Sequence, residues 1–227
     1  MSGAWVPRVL LGVGIVGLIA GIVSLSVGTG GPENIKISGG QEVQQLIAGV
    51  QQDGASLGSP DAPVTLNVFT DLQCSTCDTY QLDTVEPLIE KYARGDQVRF
   101  ELHNYSLGEA EVTQSAYAAT AAGAQDREWQ FAELFFRNQD EAPRGSVTEE
   151  FLDDVANSVP DFDLDAWHTA MGSEAVKAVV DNDQKLAAQY GLRVAAPSVI
   201  VDGPGGTKVL QDGPSTQQVE VAIAEVG

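Results

Sequence analysis

The hydrophobic pattern divides the chain into an apolar leader, a polar gap and a long remainder in which strand and helix periods alternate. From Val9 to Val27 there are 19 consecutive positions without a charge, which as a helix would span about 28 Å against a hydrocarbon core of about 30 Å. That length suits a single transmembrane helix. Ser24 and Ser26 also have the small-residue spacing of a signal-peptidase site, so a cleaved signal peptide is the competing reading. Arg8 and the α-amino group precede the segment, and the acidic bulk of the chain follows. The positive-inside rule then puts residues 1–8 in the cytoplasm and the rest of the chain, beyond the 9–27 anchor, outside it. Gly28 to Gly40 has no lasting apolar period and reads as a flexible linker, so residues 28–56 are linker and short lead-in, with a short helix over Gln41 to Val50.

Folding proper is expected over residues 57–227. The turn Ser59-Pro60-Asp61-Ala62-Pro63 launches an apolar strand, Val64 to Phe69. Leu82, Val85, Leu88, Ile89 and Tyr92 then fall on one face of a helix over Thr79 to Arg94, with a kink expected at Pro87, which lacks an N–H. Val98 to Leu102 alternates as a second strand and completes a βαβ unit. From about 108 to 190 the periods are helical, with N-cap character at Thr148 and Ser173. Strands return at Ser198 to Val201 and Lys208 to Gln211 around the hairpin Asp202 to Gly206, and a helix ends the chain. The order predicts an α/β scaffold carrying a helical insertion.

The net charge of -20, from 32 acidic and 12 basic residues, would repel a phosphate backbone or an anionic lipid surface, so nucleic acid is excluded as a partner. Such a surface keeps a protein soluble and says nothing of its fold.

Both cysteines of the chain lie in Cys74-Ser75-Thr76-Cys77, between the first strand and its helix. A cysteine at a helix N-terminus faces unpaired N–H groups and the positive end of the dipole, which favour thiolate, so Cys74 is the expected nucleophile. Cys77, a turn further on, is the resolving partner. A purely structural disulfide would close so short a loop for only about 2 kcal/mol in the chain-entropy model. A half zinc site would need two more ligands from His103 and His168, which are far apart in the chain. Redox chemistry is the reading that uses the spacing best, and export would place the pair where disulfides persist. No metal and no organic cofactor are implied.

Three further groups offer themselves. His103 could shuttle a proton, although a lone histidine is more often packed, and His168 is in the same position. Trp129, Phe131, Phe135 and Phe136 could line a groove, but their helical spacing fits a core. Glu101 could be a buried acid on the second strand, although strand glutamates more often face outward.

The lead-in Leu57-Gly58-Ser59-Pro60-Asp61-Ala62-Pro63-Val64-Thr65, the stretch Asp71-Leu72-Gln73 before CxxC, Trp129-Gln130-Phe131, and Val194-Ala195-Ala196-Pro197-Ser198 together resemble the DsbA-like branch of the thioredoxin superfamily. The resemblance runs from Leu57 to the C-terminus. It implies a thioredoxin fold with an inserted helical subdomain, and thiol-disulfide exchange in which Cys74, Cys77 and Pro197 form the catalytic set. Ala196, Ser75 and Thr76 would meet the substrate. In that family the residue matching Pro197 follows a cis peptide bond and lies against the disulfide. Two departures stand out. Val68 occupies the position where the family often has a buried carboxylate, and Ser75-Thr76 lacks the histidine of strongly oxidising members. Asp71 and Asp78 add negative charge nearby, which disfavours thiolate. The resulting expectation is a membrane-anchored extracytoplasmic oxidoreductase acting on thiols of exported proteins, reset by a redox partner. A reductase or isomerase with the same dithiol, or a binding or chaperone module with an inert disulfide, are the alternatives.

Overall fold

Strand β3 (Val64–Thr70) has hydrogen-bonded neighbours on both sides and buries side chains on both faces, with Val64, Leu66 and Val68 alternating into the main core. A computed structural model of the chain describes residues 1–3, 36–105, 110–141, 147–192 and 196–227. Among these, β3 is central in a six-stranded sheet ordered β1-β2-β4-β3-β5-β6. The remaining strands are β1 (Gln52–Asp53), β2 (Ser56–Leu57), β4 (Val98–Asn104), β5 (Ser198–Gly203) and β6 (Gly206–Leu210). Among the described strands only β3 and β4 run parallel, in the register Val68↔Leu102 and Thr70↔Asn104. β5 lies antiparallel on the other side of β3, with Phe69 opposite Ser198.

The β3–β4 crossover is a helix in three successive pieces: α2 (Cys77–Tyr80), one π turn over Gln81–Val85, and α3 (Glu86–Tyr92). The sequence predicts a kink near Pro87. The irregularity is the π turn that ends two residues before Pro87, and Pro87 itself lies in the first turn of α3, where a missing N–H costs least. The carbonyl that a residue 87 N–H would have met, that of Asp83, instead accepts from the Thr216 hydroxyl at 3.5 Å.

Between β4 and β5 the chain is helical: α4 (Ala110–Gly123), α5 (Glu128–Arg137), a 3₁₀ turn at Gln139–Glu141, α6 (Glu149–Asn157), α7 (Leu164–Met171) and α8 (Glu174–Gln189). Local capping starts three of these helices. Thr148 accepts from Phe151 N–H, Asp163 from Ala166 N–H and Ser173 from Val176 N–H, each satisfying a donor that a helix start leaves unpaired. α5 is buried on nearly all sides, so Trp129, Phe131, Phe135 and Phe136 are core and line no groove. α8 covers the other face of the sheet, over a smaller cluster of Phe69, Tyr105, Ala187, Leu192 and Ile200.

The folded unit runs Asn34–Gly227 and takes in more of the lead-in than its sequence suggests. Helix α1 (Gly40–Ile47) sinks Val43, Leu46 and Ile47 into the main core. The β1–β2 hairpin joins the sheet edge through Leu57 opposite Phe100. Trp129 Nε1 fastens this hairpin by donating to Ala55 O at 2.8 Å.

The C-terminal helix α9 (Thr216–Val226) starts with a capping box in which Ser215 and Gln218 satisfy each other's backbone donors. It packs so close to the β5–β6 turn that a Cβ on Gly205 would lie 2.7 Å from Glu225 O. Gly205 N–H uses the approach to donate to Val226 O.

The segment expected to be a transmembrane helix, Val9 to Val27, lies outside the described residues. Among those that are described, no helix is long and apolar enough to cross a membrane.

Candidate redox site

β3 delivers the chain to the site. Asp71 and Leu72 follow it, both buried, and the backbone turns twice before the helix begins. Cys74 N–H donates to Asp71 O at 3.0 Å, and Cys77 N–H donates to Cys74 O at 3.1 Å. The Asp71 carboxylate closes the first turn by accepting from Gln73 N–H at 2.9 Å, the short side chain standing in for a backbone carbonyl. Thr76 is the N-cap residue of α2. Cys74 therefore stands two residues ahead of the N-cap and not at the helix terminus itself, because these turns take up the residues between strand and helix.

Cys74 and Cys77 are joined in a disulfide with their Cα atoms 5.3 Å apart. Cys77 is 3% exposed and belongs to the main core, Cys74 is half-buried, and Ser75 and Thr76 are exposed. A thiolate arriving from solvent meets Cys74 first. The Thr76 hydroxyl lies 3.4 Å from Cys74 Sγ, within reach as a weak donor to sulfur.

The loop is held from the helical block. Gln139 Nε2 donates to Leu72 O at 2.5 Å and to Cys74 O at 3.2 Å, and Gln73 Nε2 donates to Ser115 Oγ on α4 at 3.3 Å. Nothing in the sequence around Gln139 marks it, because its partners lie more than sixty residues away.

Pro197 is buried and immediately precedes β5. Since Phe69 faces Ser198, Pro197 and Ala196 lie at the sheet end from which the cysteine loop departs. Pro197 O accepts from Gly213 N–H at 2.9 Å. Among the described residues no peptide bond is cis, so the bond between Ala196 and Pro197 is trans. The expected cis bond is corrected to the isomer favoured for most X-Pro bonds.

Besides Asp71, α5 carries two buried acids, Glu133 and Glu128, and neither position 68 nor position 101 supplies one. Glu133 on α5 accepts from Gln81 Nε2 at 2.7 Å, and Gln81 follows Cys77 by one helical turn. Burial raises the Glu133 carboxyl well above its usual range, and the adjacent Glu86 carboxylate adds to the effect. Glu86 is paired with Arg137. Glu128 accepts from Asn104 Nδ2 at 2.6 Å, and its carboxyl is likewise raised by burial, with the charges of Asp183 and Glu101 contributing. Glu101 itself is half-buried and accepts from Ser56 Oγ at 2.6 Å. Burial and the charge of Asp71 push the Tyr105 phenol up to about 12.

His103 is a packed histidine. Its ring stacks on Phe69 at 4.4 Å, Nδ1 contacts Asp183 Oδ1 at 2.8 Å and Nε2 contacts Asn67 Oδ1 at 3.0 Å. His168 pairs with Asp153 at 3.3 Å. Among the described residues, no group of three or more His, Cys, Asp and Glu is placed to hold a metal ion.

The sequence profile of the family described as thioredoxin matches residues 51–219. The probable disulfide bond formation protein D of Bacillus cereus is 28% identical over 151 residues, covering 65% of this chain and 69% of that protein. Disulfide bond formation protein D of Bacillus subtilis is 26% identical over 148 residues, covering 64% and 66%. Among solved structures, oxidised BdbD from Bacillus subtilis superposes with a TM-score of 0.66 at 21% identity, over 78% of this chain and 96% of that one. The thiol-disulfide exchange protein α-DsbA2 of Wolbachia pipientis gives 0.64 at 14% identity, over 82% and 93%. At these identities the structural likeness is one of fold.

Proposed function

The chain belongs to the thioredoxin family and is a thiol-disulfide oxidoreductase; from that premise we propose that it oxidises cysteines of exported proteins through the Cys74–Cys77 disulfide. The observation that carries this reading is the asymmetry of the pair, a half-buried Cys74 bonded to a Cys77 that is 3% exposed. The Bacillus relatives are disulfide bond formation proteins by name, which supports the oxidising direction.

A substrate thiolate attacks Cys74 Sγ. The Cys74–Cys77 bond breaks, its electron pair stays on the Cys77 sulfur, and a mixed disulfide joins substrate to Cys74. A second substrate thiolate then attacks the substrate sulfur of the mixed disulfide and expels Cys74. The substrate leaves with its disulfide, and the enzyme holds two electrons and, once both sulfurs are protonated, two protons. A redox partner removes them. Pro197, Ala196, Ser75 and Thr76 are the residues to which this reading gives the substrate-facing surface, supported by the sheet end they share or by their exposure.

The same reading anchors the chain in the cell membrane through Val9 to Val27, with the N-terminus cytoplasmic and the catalytic domain extracytoplasmic. It is supported by the uncharged length of that segment.

The test is stoichiometric. One equivalent of the oxidised full chain, mixed with a reduced two-cysteine protein, should yield one equivalent of substrate disulfide and lose its own. Full activity in Cys74→Ser would refute the mechanism. Labelling of the reduced thiols in intact cells by a membrane-impermeant reagent tests the topology, and a chain labelled only after lysis would overturn it.

A further inference from the structure

Leu72 and Cys74 present carbonyl oxygens where neither strand nor helix supplies their full complement of donors. One carboxamide serves both, with Gln139 Nε2 at 2.5 Å from Leu72 O and 3.2 Å from Cys74 O. Its base is fixed. Gln139 stands two residues past the end of α5, whose face is packed from Trp129 to Phe136, and opens the short 3₁₀ turn. The preceding residue, Asn138, is 2% exposed and is tied on both sides, donating to Leu134 O at 2.7 Å and to Ser38 O at 3.0 Å. The amide is therefore held out from a rigid element toward a loop with little regular structure of its own.

We infer that Gln139 is a positioning residue for the cysteine pair, its carboxamide holding the Leu72–Cys74 backbone in the conformation that brings the two sulfurs within bonding reach. The inference rests on the dithiol reading above. Closing the disulfide from the dithiol fixes the loop in one conformation, and that conformational entropy opposes closure. A loop already held in the reduced state has less freedom to lose. Gln139 thus favours the disulfide over the dithiol without touching either sulfur. Cys74 O also accepts from Cys77 N–H, so the amide supports the same turn that spaces the cysteines.

The experiment equilibrates the full chain with glutathione. The dithiol plus one glutathione disulfide gives the protein disulfide plus two glutathione thiols, so electrons and protons balance. Two variants separate the hydrogen bonds from the packing. Gln139→Met keeps the length and loses the donor, while Gln139→Lys keeps a donor. Q139M should lower the equilibrium constant for disulfide closure about tenfold, which is a shift of about 30 mV, and Q139K should stay within about twofold of the parent. Equal constants for Q139M and the parent, or equal losses in Q139M and Q139K, would overturn the inference. So would a Q139M that fails to fold, since the amide would then hold the domain and not the pair. If the parent itself exchanges no thiols, the oxidoreductase reading fails, a result distinct from each of these.

Discussion

Gln81 Nε2 donates to Glu133 Oε1 at 2.7 Å, joining the helix that begins at Cys77 to an acid with no measurable exposure on α5. The second oxygen, Glu133 Oε2, is buried, and as a carboxylate oxygen it has no hydrogen-bond partner among the described residues. A proton on the Glu133 carboxyl would let it donate to the adjacent Glu86, consistent with the raised carboxyl.

This arrangement makes stability depend on pH. The folded-state pKa of Glu133 lies above its unfolded value of about 4.3. Its favourable contribution is fully present below that unfolded pKa and is lost as pH rises through the folded pKa. Glu128 acts in the same sense. The urea midpoint should therefore decline as pH rises above about 4.3, and Glu133→Gln, which cannot ionise, should decline less steeply. Parallel curves for parent and variant would contradict the assignment.

The exposure difference within the cysteine pair predicts the order of reaction. In the reduced protein Cys74 should alkylate well before Cys77, since accessible thiols react and buried ones are inert. Mixed with glutathione disulfide, Cys77→Ser should accumulate a mixed disulfide of Cys74 with glutathione as one glutathione thiol leaves, whereas Cys74→Ser should trap none. Mass spectrometry after a short pulse of iodoacetamide reads both, and preferential labelling of Cys77 would reverse the roles.

Ser215 opens α9 by accepting from Gln218 N–H and forms half of its capping box. Ser215→Ala should cost about 1 kcal/mol and lower the melting temperature by about 2–4 °C. Calorimetry at fixed redox state measures it, and an unchanged melting temperature would show that packing alone holds the helix start.

At Gly205 a methyl group would press on Glu225 O at 2.7 Å and on Val226 Cα at 3.0 Å, backbone atoms that cannot swing aside. Gly205→Ala should destabilise by about 1–3 kcal/mol, the range for overpacking a tight contact. Chemical denaturation decides it, with a loss below about 0.5 kcal/mol, the scatter of ordinary surface changes, as the contrary result.

What could be read in the sequence follows from the range of the forces involved. Val64 to Phe69 and Val98 to Leu102 announce themselves because one face of each must be apolar, and Thr148 and Ser173 because a cap bonds three residues ahead. Cys74 and Cys77 carry their spacing with them. The β1–β2 hairpin was hidden because two-residue strands have no period, and its anchor, Trp129 on Ala55, spans 74 residues. Gln139 was hidden for the same reason, since nothing near it marks the carbonyls it serves. Glu133 was hidden because charged residues in a helix usually face solvent, and its burial depends on Gln81 arriving from a helix 52 residues away.

The central place of β3 has a temporal consequence. One of its neighbours, β4, follows within a single helix, but the other, β5, lies across the whole helical block, as the Asn67–Ile200 contact over 133 residues shows. Until residue 198 has emerged, β3 is an edge, with a row of backbone groups open to any passing strand. Cys74 and Cys77, three positions apart, need no such wait. The chain can therefore acquire its disulfide while the sheet around it is still half built, and the pairing of β5 with β3 across the helical block is the longest-range contact that the described sheet has to make.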